Sequence, residues 1–250
     1  MKKTIYYFFV ALLSSTIFAC QSSVDQSQSN ESKATNSVKP LVEKVLTAEE
    51  QEALTPDKVL SMLKEGNRRF VVGTLTARDH SAQVRNSTFA QYPKAVILSC
   101  LDSRVPVEDV FDRGIGDIFV GRVAGNFVNV DLLGSMEFGC KVAGAKLVLV
   151  LGHEHCGAVK SAIDDVELGN ITAMLSKIKP AVDLVSDFEG EKTSQNEAFV
   201  HEVCLSNVKN TIKEIRTNSL ILKEMESKGG IKIIGAVYDM STGEVEFLEE

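Results

Sequence analysis

Four short, nearly continuous apolar runs constrain this chain more than anything else in it: KAVILSC (94–100), DIFVGRVA (117–124), KLVLVLGH (146–153) and IKIIGAVY (231–238). A strand with one wet face alternates apolar and polar residues, whereas unbroken runs of this kind suit strands covered on both faces, as in parallel sheets. Segments of helical character separate them, at 130–143, 157–167 and 196–227. The alternation is βαβ, so the expected fold is α/β: an open, mostly parallel sheet of four strands with helices on both faces. The closing YDMSTGEVEFLEE predicts a turn over 241–243 and a short antiparallel edge strand.

The folded domain is expected over 47–250 and to begin with helices. TAEE from Thr47 matches a capping box, and TPDKVLSMLKEGNRRFVVG offers Thr55 as N-cap and Pro56 at the first helical position. Val59, Leu63 and Phe70 follow near helical spacing. What precedes this is of another kind. MKKTIYYFFVALLSSTIFAC has two lysines, an apolar run and small residues, the pattern of a secretory signal over 1–19. The run falls short of the ~20 residues a spanning helix needs, and Ser14, Ser15 and Thr16 interrupt it. Ile17, Phe18, Ala19 and Cys20 resemble a bacterial lipobox, which implies lipidation at Cys20 and a place in the cell envelope or periplasm, with simple secretion as the alternative. Residues 20–46 then read as a flexible tether, because the Ser, Gln and Asn that dominate 21–40 bury too little to offset chain entropy. In that context the N-x-Ser/Thr matches at Asn30, Asn86 and Asn170 are accidental.

Charge and cysteine usage exclude whole classes. A formal net charge of -7 leaves no basic surface for nucleic acid. Five cysteines in 250 residues make no disulfide scaffold, so each must be judged by its neighbours. The familiar phosphate loops also fail: GIGDIF puts Phe119 where a dinucleotide fingerprint needs its third glycine, and GRVAGN lacks the Lys-Ser/Thr ending of a P-loop and reads as a turn.

Two strand ends carry the chemistry. Cys100 closes the first run, and if the chain stays extended, Cys100, Asp102 and Arg104 point to one side. A guanidinium there can clamp the carboxylate at two points. His153 closes the third run and Cys156 follows three residues on, where Gly157 opens a helical pattern. In an open α/β sheet, sites form at the carboxyl ends of strands. Two thiolates and one imidazole make three protein ligands with a fourth position for water, the arrangement of a catalytic zinc centre. The competing possibilities are a Cys100–Cys156 disulfide, a surface Asp102–Arg104 pair, and His155 as ligand in place of His153; one step from Cys156 is a poor bite, which favours a supporting or solvated role for His155. Cys140 and Cys204 sit in helical segments and read as core, while His80 and His201 carry no signal.

C-x-D-S-R, followed about fifty residues later by G-H-x-x-C-G-A, resembles the β-class carbonic anhydrases, and VPVEDVFDRGIGDIFVGRVAGN and GAVYDMSTGEVEF are similar to that family in order and spacing. The resemblance runs from about Thr47 to the end. It implies a parallel sheet with an antiparallel edge strand, a homodimer as the smallest unit, one zinc on Cys100, His153 and Cys156, and an Asp102–Arg104 dyad. It further implies that zinc ionises a bound water, that the hydroxide attacks carbon dioxide to give bicarbonate, and that Asp102 orients it. In some members the matching aspartate swings onto the metal, which makes Asp102 a fourth, conditional ligand. Two thiolates already cancel the charge of Zn²⁺, so the water should be less acidic than on three imidazoles and activity should rise toward alkaline pH. The same fold acting on carbonyl sulfide or carbon disulfide, and a non-catalytic zinc-binding envelope lipoprotein, are the other functions the pattern allows.

Overall fold

The computed structural model describes residues 41–248. The expected signal sequence, Cys20 and the expected tether through residue 40 lie outside the described residues. The last residues assigned to the tether do not hang free: Val42 pairs with Arg78, and the carbonyls of Glu43 and Lys44 accept from Asn86 and Gln83. The folded part thus begins ahead of Thr47, because backbone groups at 42–44 find partners on the segment 77–86.

Two capped helices follow, one short and one of 16 residues. Thr47 and Glu50 form the reciprocal capping box of α1 (Ala48–Glu52), and the Thr55 hydroxyl accepts from Lys58 N to start α2 (Pro56–Val71), with Pro56 in the first turn. Helix α3 (His80–Asn86), capped by Asp79, completes the N-terminal layer. Five strands form one sheet in the order β2-β1-β3-β4-β5. Strands β1 (Ala95–Ser99), β2 (Ile118–Arg122), β3 (Leu147–His153) and β4 (Lys232–Tyr238) are parallel, and β5 (Val245–Phe247) is the antiparallel edge. Strands β1 and β3 are buried at every position and β4 at all but Lys232, whereas β2, expected to be covered on both faces, is half-buried along its length because it lies at the edge of the sheet.

Alternate side chains feed two cores. Ile97, Leu147 and Leu149 pack with Val59 and Leu63 of α2 and with Val107 and Phe111 of the α4 (Val107–Val110) turn. Val96, Leu98, Val148 and Val150 face Met136 of α5 (Val130–Glu137), Val208 of α9 (Glu197–Asn218) and Leu222 of α10 (Leu220–Ser227). The helical stretch expected over 130–143 winds into a π-helical turn at Phe138–Val142, and that over 196–227 breaks at Ser219, whose hydroxyl caps α10. Between them lie α6 (Gly157–Ile163), α7 (Gly169–Leu175) and α8 (Lys179–Asp183). Helix α9 lies flush on the sheet: a Cβ at Gly152 would meet Val208 at 2.7 Å and Cys204 Sγ at 3.1 Å, and one at Gly235 would meet Val208 at 2.5 Å. Among the described residues no helix is long and apolar enough to cross a membrane.

Strand order also sets where a site must form. From β1 the chain leaves for β2 on one side, and from β3 it leaves for β4 on the other. Loops that diverge from adjacent parallel strands open a crevice at the carboxyl ends.

Candidate metal centre

Cys100 is the first residue beyond β1, and its sulfur is buried at that crevice. Strand β3 continues two residues past the level of Ser99, still paired with Val237 and Tyr238 of β4, and ends on His153. A tight reversal then brings Cys156 back as the N-cap of α6. His155 makes that reversal by adopting a left-handed backbone (φ +54°), a conformation that His, Asn and Asp tolerate better than other side-chain-bearing residues. Its imidazole is half-exposed, 3.9 Å from Glu197, and takes no place among the ligands.

The sulfurs of Cys100 and Cys156 and an imidazole nitrogen of His153 all lie within 4.8 Å of one another, and all three residues are buried. The two sulfurs stand 3.9 Å apart as free thiols rather than a disulfide. His153 Nδ1 is 2.8 Å from the carbonyl of Glu154, which only accepts, so Nδ1 carries the proton and Nε2 keeps its lone pair. That Nε2 is buried without a hydrogen-bond partner, an arrangement that costs free energy unless a cation fills it.

Electrostatics agree with the geometry. The Cys156 thiol beside it, helped by His153 and the Gly125 N–H, holds Cys100 as a thiolate, down to about 4. The same bond to Cys100, together with burial, pushes Cys156 up. Burial opposes the charged form of His153, but the Cys100 thiolate outweighs it and raises the imidazole. The two sulfurs therefore share one proton, and losing it leaves two thiolates and a neutral imidazole, the donor set that suits zinc with one position open.

Asp102 and Arg104 meet, but not along a strand. Strand β1 stops at Ser99, so the extended run expected through Arg104 does not form. Asp102 instead turns the chain: its carboxylate accepts from Arg104 N at 2.9 Å, and Val105 N bonds the Asp102 carbonyl at 3.3 Å. This is the Asx turn that aspartate favours two residues ahead of a free amide. The guanidinium closes on the carboxylate at two points, Nε to Oδ1 at 2.9 Å and Nη2 to Oδ2 at 2.7 Å. Arg104 holds Asp102 down to about 2, so it is ionised throughout the working range. Asp102 Oδ2 also lies 3.8 Å from His153 Nε2, on the rim of the ligand set. The cleft above is lined by Leu101, Ser103, Ala124 and Ala158 besides the site residues.

Sequence reasoning missed the supports. Arg122, the last residue of β2, bonds the carbonyls of Cys100 at 3.0 Å and Val105 at 2.6 Å and so pins the loop that carries Asp102. Gly125 donates its N–H to Cys100 Sγ at 3.3 Å. The Gly-Asn pair in GRVAGN signals such a turn, but nothing in it shows that the amide meets a sulfur. Cys140 and Cys204 are core, both pushed up to about 12 by burial. His201 bonds Glu154 Oε1 at 2.6 Å, and His80 opens α3.

A family model described as "Carbonic anhydrase" matches residues 95–245. A carbonic anhydrase of Mycolicibacterium smegmatis is 36% identical over 190 residues, covering 74% of this chain and 89% of that one. Among solved structures, a Coccomyxa β-carbonic anhydrase in complex with acetazolamide superposes with a TM-score of 0.61 at 24% identity, over 76% of this chain and 86% of the other. One of two tetrameric β-carbonic anhydrases from Sordaria macrospora gives 0.60 at 20% identity, over 68% and 91%. At these identities the two structures show the fold.

Proposed function

From the premise that the chain belongs to the β-class carbonic anhydrases, we propose that it converts carbon dioxide and water to bicarbonate and a proton at the Cys100–His153–Cys156 centre, with Asp102 orienting the attacking water. The observation that carries the role of Asp102 is its placement: a clamped, ionised carboxylate on the rim of three buried ligands. When bound, zinc supplies the Lewis acidity that makes water a nucleophile near neutral pH.

The chain's own groups do the rest. An ionised carboxylate only accepts hydrogen bonds, so Asp102 takes the proton side of the water and leaves an oxygen lone pair facing the cleft. Arg104 fixes that carboxylate through two side-chain bonds and the backbone bond of the turn, so it does not reorient during reaction. Leu101, Ala124 and Ala158 give the cleft apolar walls suited to an uncharged, linear substrate.

Two thiolates lower the charge available to acidify water, so turnover should climb from pH 6 toward pH 9; a flat profile over that range would refute this. The deciding experiment is stopped-flow hydration with Asp102→Ala. Hydration lost with zinc retained supports the orienting role. Zinc lost as well makes Asp102 a ligand first.

We assign the chain, on its first twenty residues, to the cell envelope through a lipid on Cys20. Substitution of Cys20 should release it to the soluble fraction. It assembles as a homodimer or larger: β2, at the sheet edge, is half-exposed along its length, and Val130 and Phe138 beside it are exposed. Sedimentation of a single-chain species at micromolar concentration would overturn that.

A further inference from the structure

Helix α9 has an apolar buried stripe, with Val203, Cys204, Val208 and Ile215, interrupted by two polar residues one turn apart, Asn207 and Thr211. Asn207 is 1% exposed and Thr211 2%. Both reach the same short loop: Asn207 Nδ2 donates to the Gly125 carbonyl at 2.8 Å, and Thr211 Oγ1 to the Asn126 carbonyl at 3.3 Å. That loop carries two consecutive left-handed residues, Gly125 at φ +82° and Asn126 at φ +39°. The first suits glycine, since its φ strains any side chain and a Cβ there would also crowd Ile178 and Ala158. The second has a side chain and is strained. The turn closes with Asn126 N–H on the Val123 carbonyl at 3.0 Å and aims the Gly125 N–H at the sulfur of Cys100.

The amide carries a cost of its own. Asn207 Oδ1 is buried without a partner, as is Asn126 Nδ2. An unmatched buried polar atom is destabilising, and asparagine is a poorer helix former than leucine. A leucine would remove the unmatched Oδ1 but leave the buried Gly125 carbonyl without its donor. What the amide contributes is the bond that fixes the Gly125 peptide.

We propose that Asn207, seconded by Thr211, is a positioning residue for the metal centre: it holds the Gly125 peptide in its left-handed turn so that the N–H stays aimed at the Cys100 thiolate. A hydrogen bond to a ligating sulfur draws off part of its charge and fixes its direction, which leaves the metal more electrophilic than two bare thiolates would. The device therefore partly offsets the charge that the second cysteine brings. It rests on metal binding at Cys100 but not on what Asp102 does.

Cobalt and cadmium make the bond visible. In the cobalt-loaded full chain, Asn207→Leu should move the sulfur-to-cobalt charge-transfer band to longer wavelength, because a sulfur without its hydrogen bond gives up an electron more easily. In the ¹¹³Cd-loaded chain, the scalar coupling from cadmium through Cys100 Sγ to the Gly125 amide proton should be present in wild type and lost in Asn207→Leu. Thr211→Val should shift the band in the same sense by less. Ser206→Ala removes a comparable bond from α9, to the Ala181 carbonyl at 2.9 Å, and should leave both signals unchanged. Unmoved signals in a folded Asn207→Leu chain, or an equal shift in Ser206→Ala, would overturn the proposal. If Asn207→Leu fails to fold, an unmoved band in Thr211→Val overturns it instead. Failure of the wild type to take up one cobalt would strike the metal centre itself, and stoichiometry separates that from failure of this inference.

Discussion

Asp112→Asn tests whether the connection from α4 to β2 is held by charge. Asp112 lies between the α4 turn and β2, and its side chain is 0% exposed. Its carboxylate accepts from Arg69 Nε, from Arg78 Nη1 at 2.6 Å, and from Thr76 through the hydroxyl at 2.7 Å and the backbone N at 3.1 Å. Burial opposes the charge, but Thr76, Arg69 and Arg78 outweigh it and hold the carboxyl down to about 2, against 3.8 for a free one. At 1.36 kcal/mol per unit, that difference is about 2.5 kcal/mol of stability at neutral pH. Asparagine keeps one acceptor oxygen, points an NH₂ at groups that are themselves donors, and strips Arg78, 12% exposed, of its counter-charge. Breaking a buried pair in this way costs about 3–5 kcal/mol.

The expected outcome is a lower urea midpoint at pH 7 corresponding to about 3 kcal/mol, with the slope unchanged. The sign of the pH dependence follows from the lowered carboxyl. Its stabilisation is complete above the free value near 4 and is lost as pH falls through about 2, so the gap between variant and wild type should close on acidification. Both proteins are compared at equal zinc content. A loss below about 1 kcal/mol at pH 7, or a gap undiminished at a pH below about 3 at which both remain folded, would refute the reasoning.

Three further outcomes follow. Cys156→Ser should lower zinc affinity by well over tenfold, measured by competition with a chromogenic chelator, because a hydroxyl does not ionise to replace the thiolate; retention of wild-type affinity would exclude Cys156 as a ligand. Gly66→Ala should cost more than 1 kcal/mol by thermal unfolding despite alanine's better helix propensity, since its Cβ would sit 1.9 Å from the Phe111 carbonyl and force α2 away from α4; a neutral or stabilising result would show that the contact relaxes freely. Cys140 and Cys204, both pushed up to about 12 by burial, should stay unmodified by a thiol reagent at pH 8 in the native protein, as mapped by mass spectrometry.

The sheet was legible because its central strands are buried on both faces, and that burial leaves an unmistakable apolar run in β1, β3 and β4. Short helices such as α3, α7 and α8 were not, because they hold their shape by docking onto the domain rather than by a sustained amphipathic pattern. At the site, Cys100, His153 and Cys156 were readable as residue types at strand ends. The Asp102–Arg104 contact was readable only as a pair, and by the wrong geometry: alternation along a strand suggested it, whereas an Asx turn makes it. Arg122, Gly125 and Asn207 act through backbone groups, and a main-chain partner leaves no signature in spacing.

The glycines beneath α9 have a consequence for variation. With Gly152 and Gly235 letting the helix rest directly against the strands, the floor under His153 has no slack, and any side chain added there displaces the element that carries Asn207. The other side of the centre is open, walled by Leu101, Ser103, Ala124 and Ala158. Change in what this centre admits therefore has one direction to come from: the roof can be rebuilt residue by residue, while the foundation tolerates nothing larger than hydrogen.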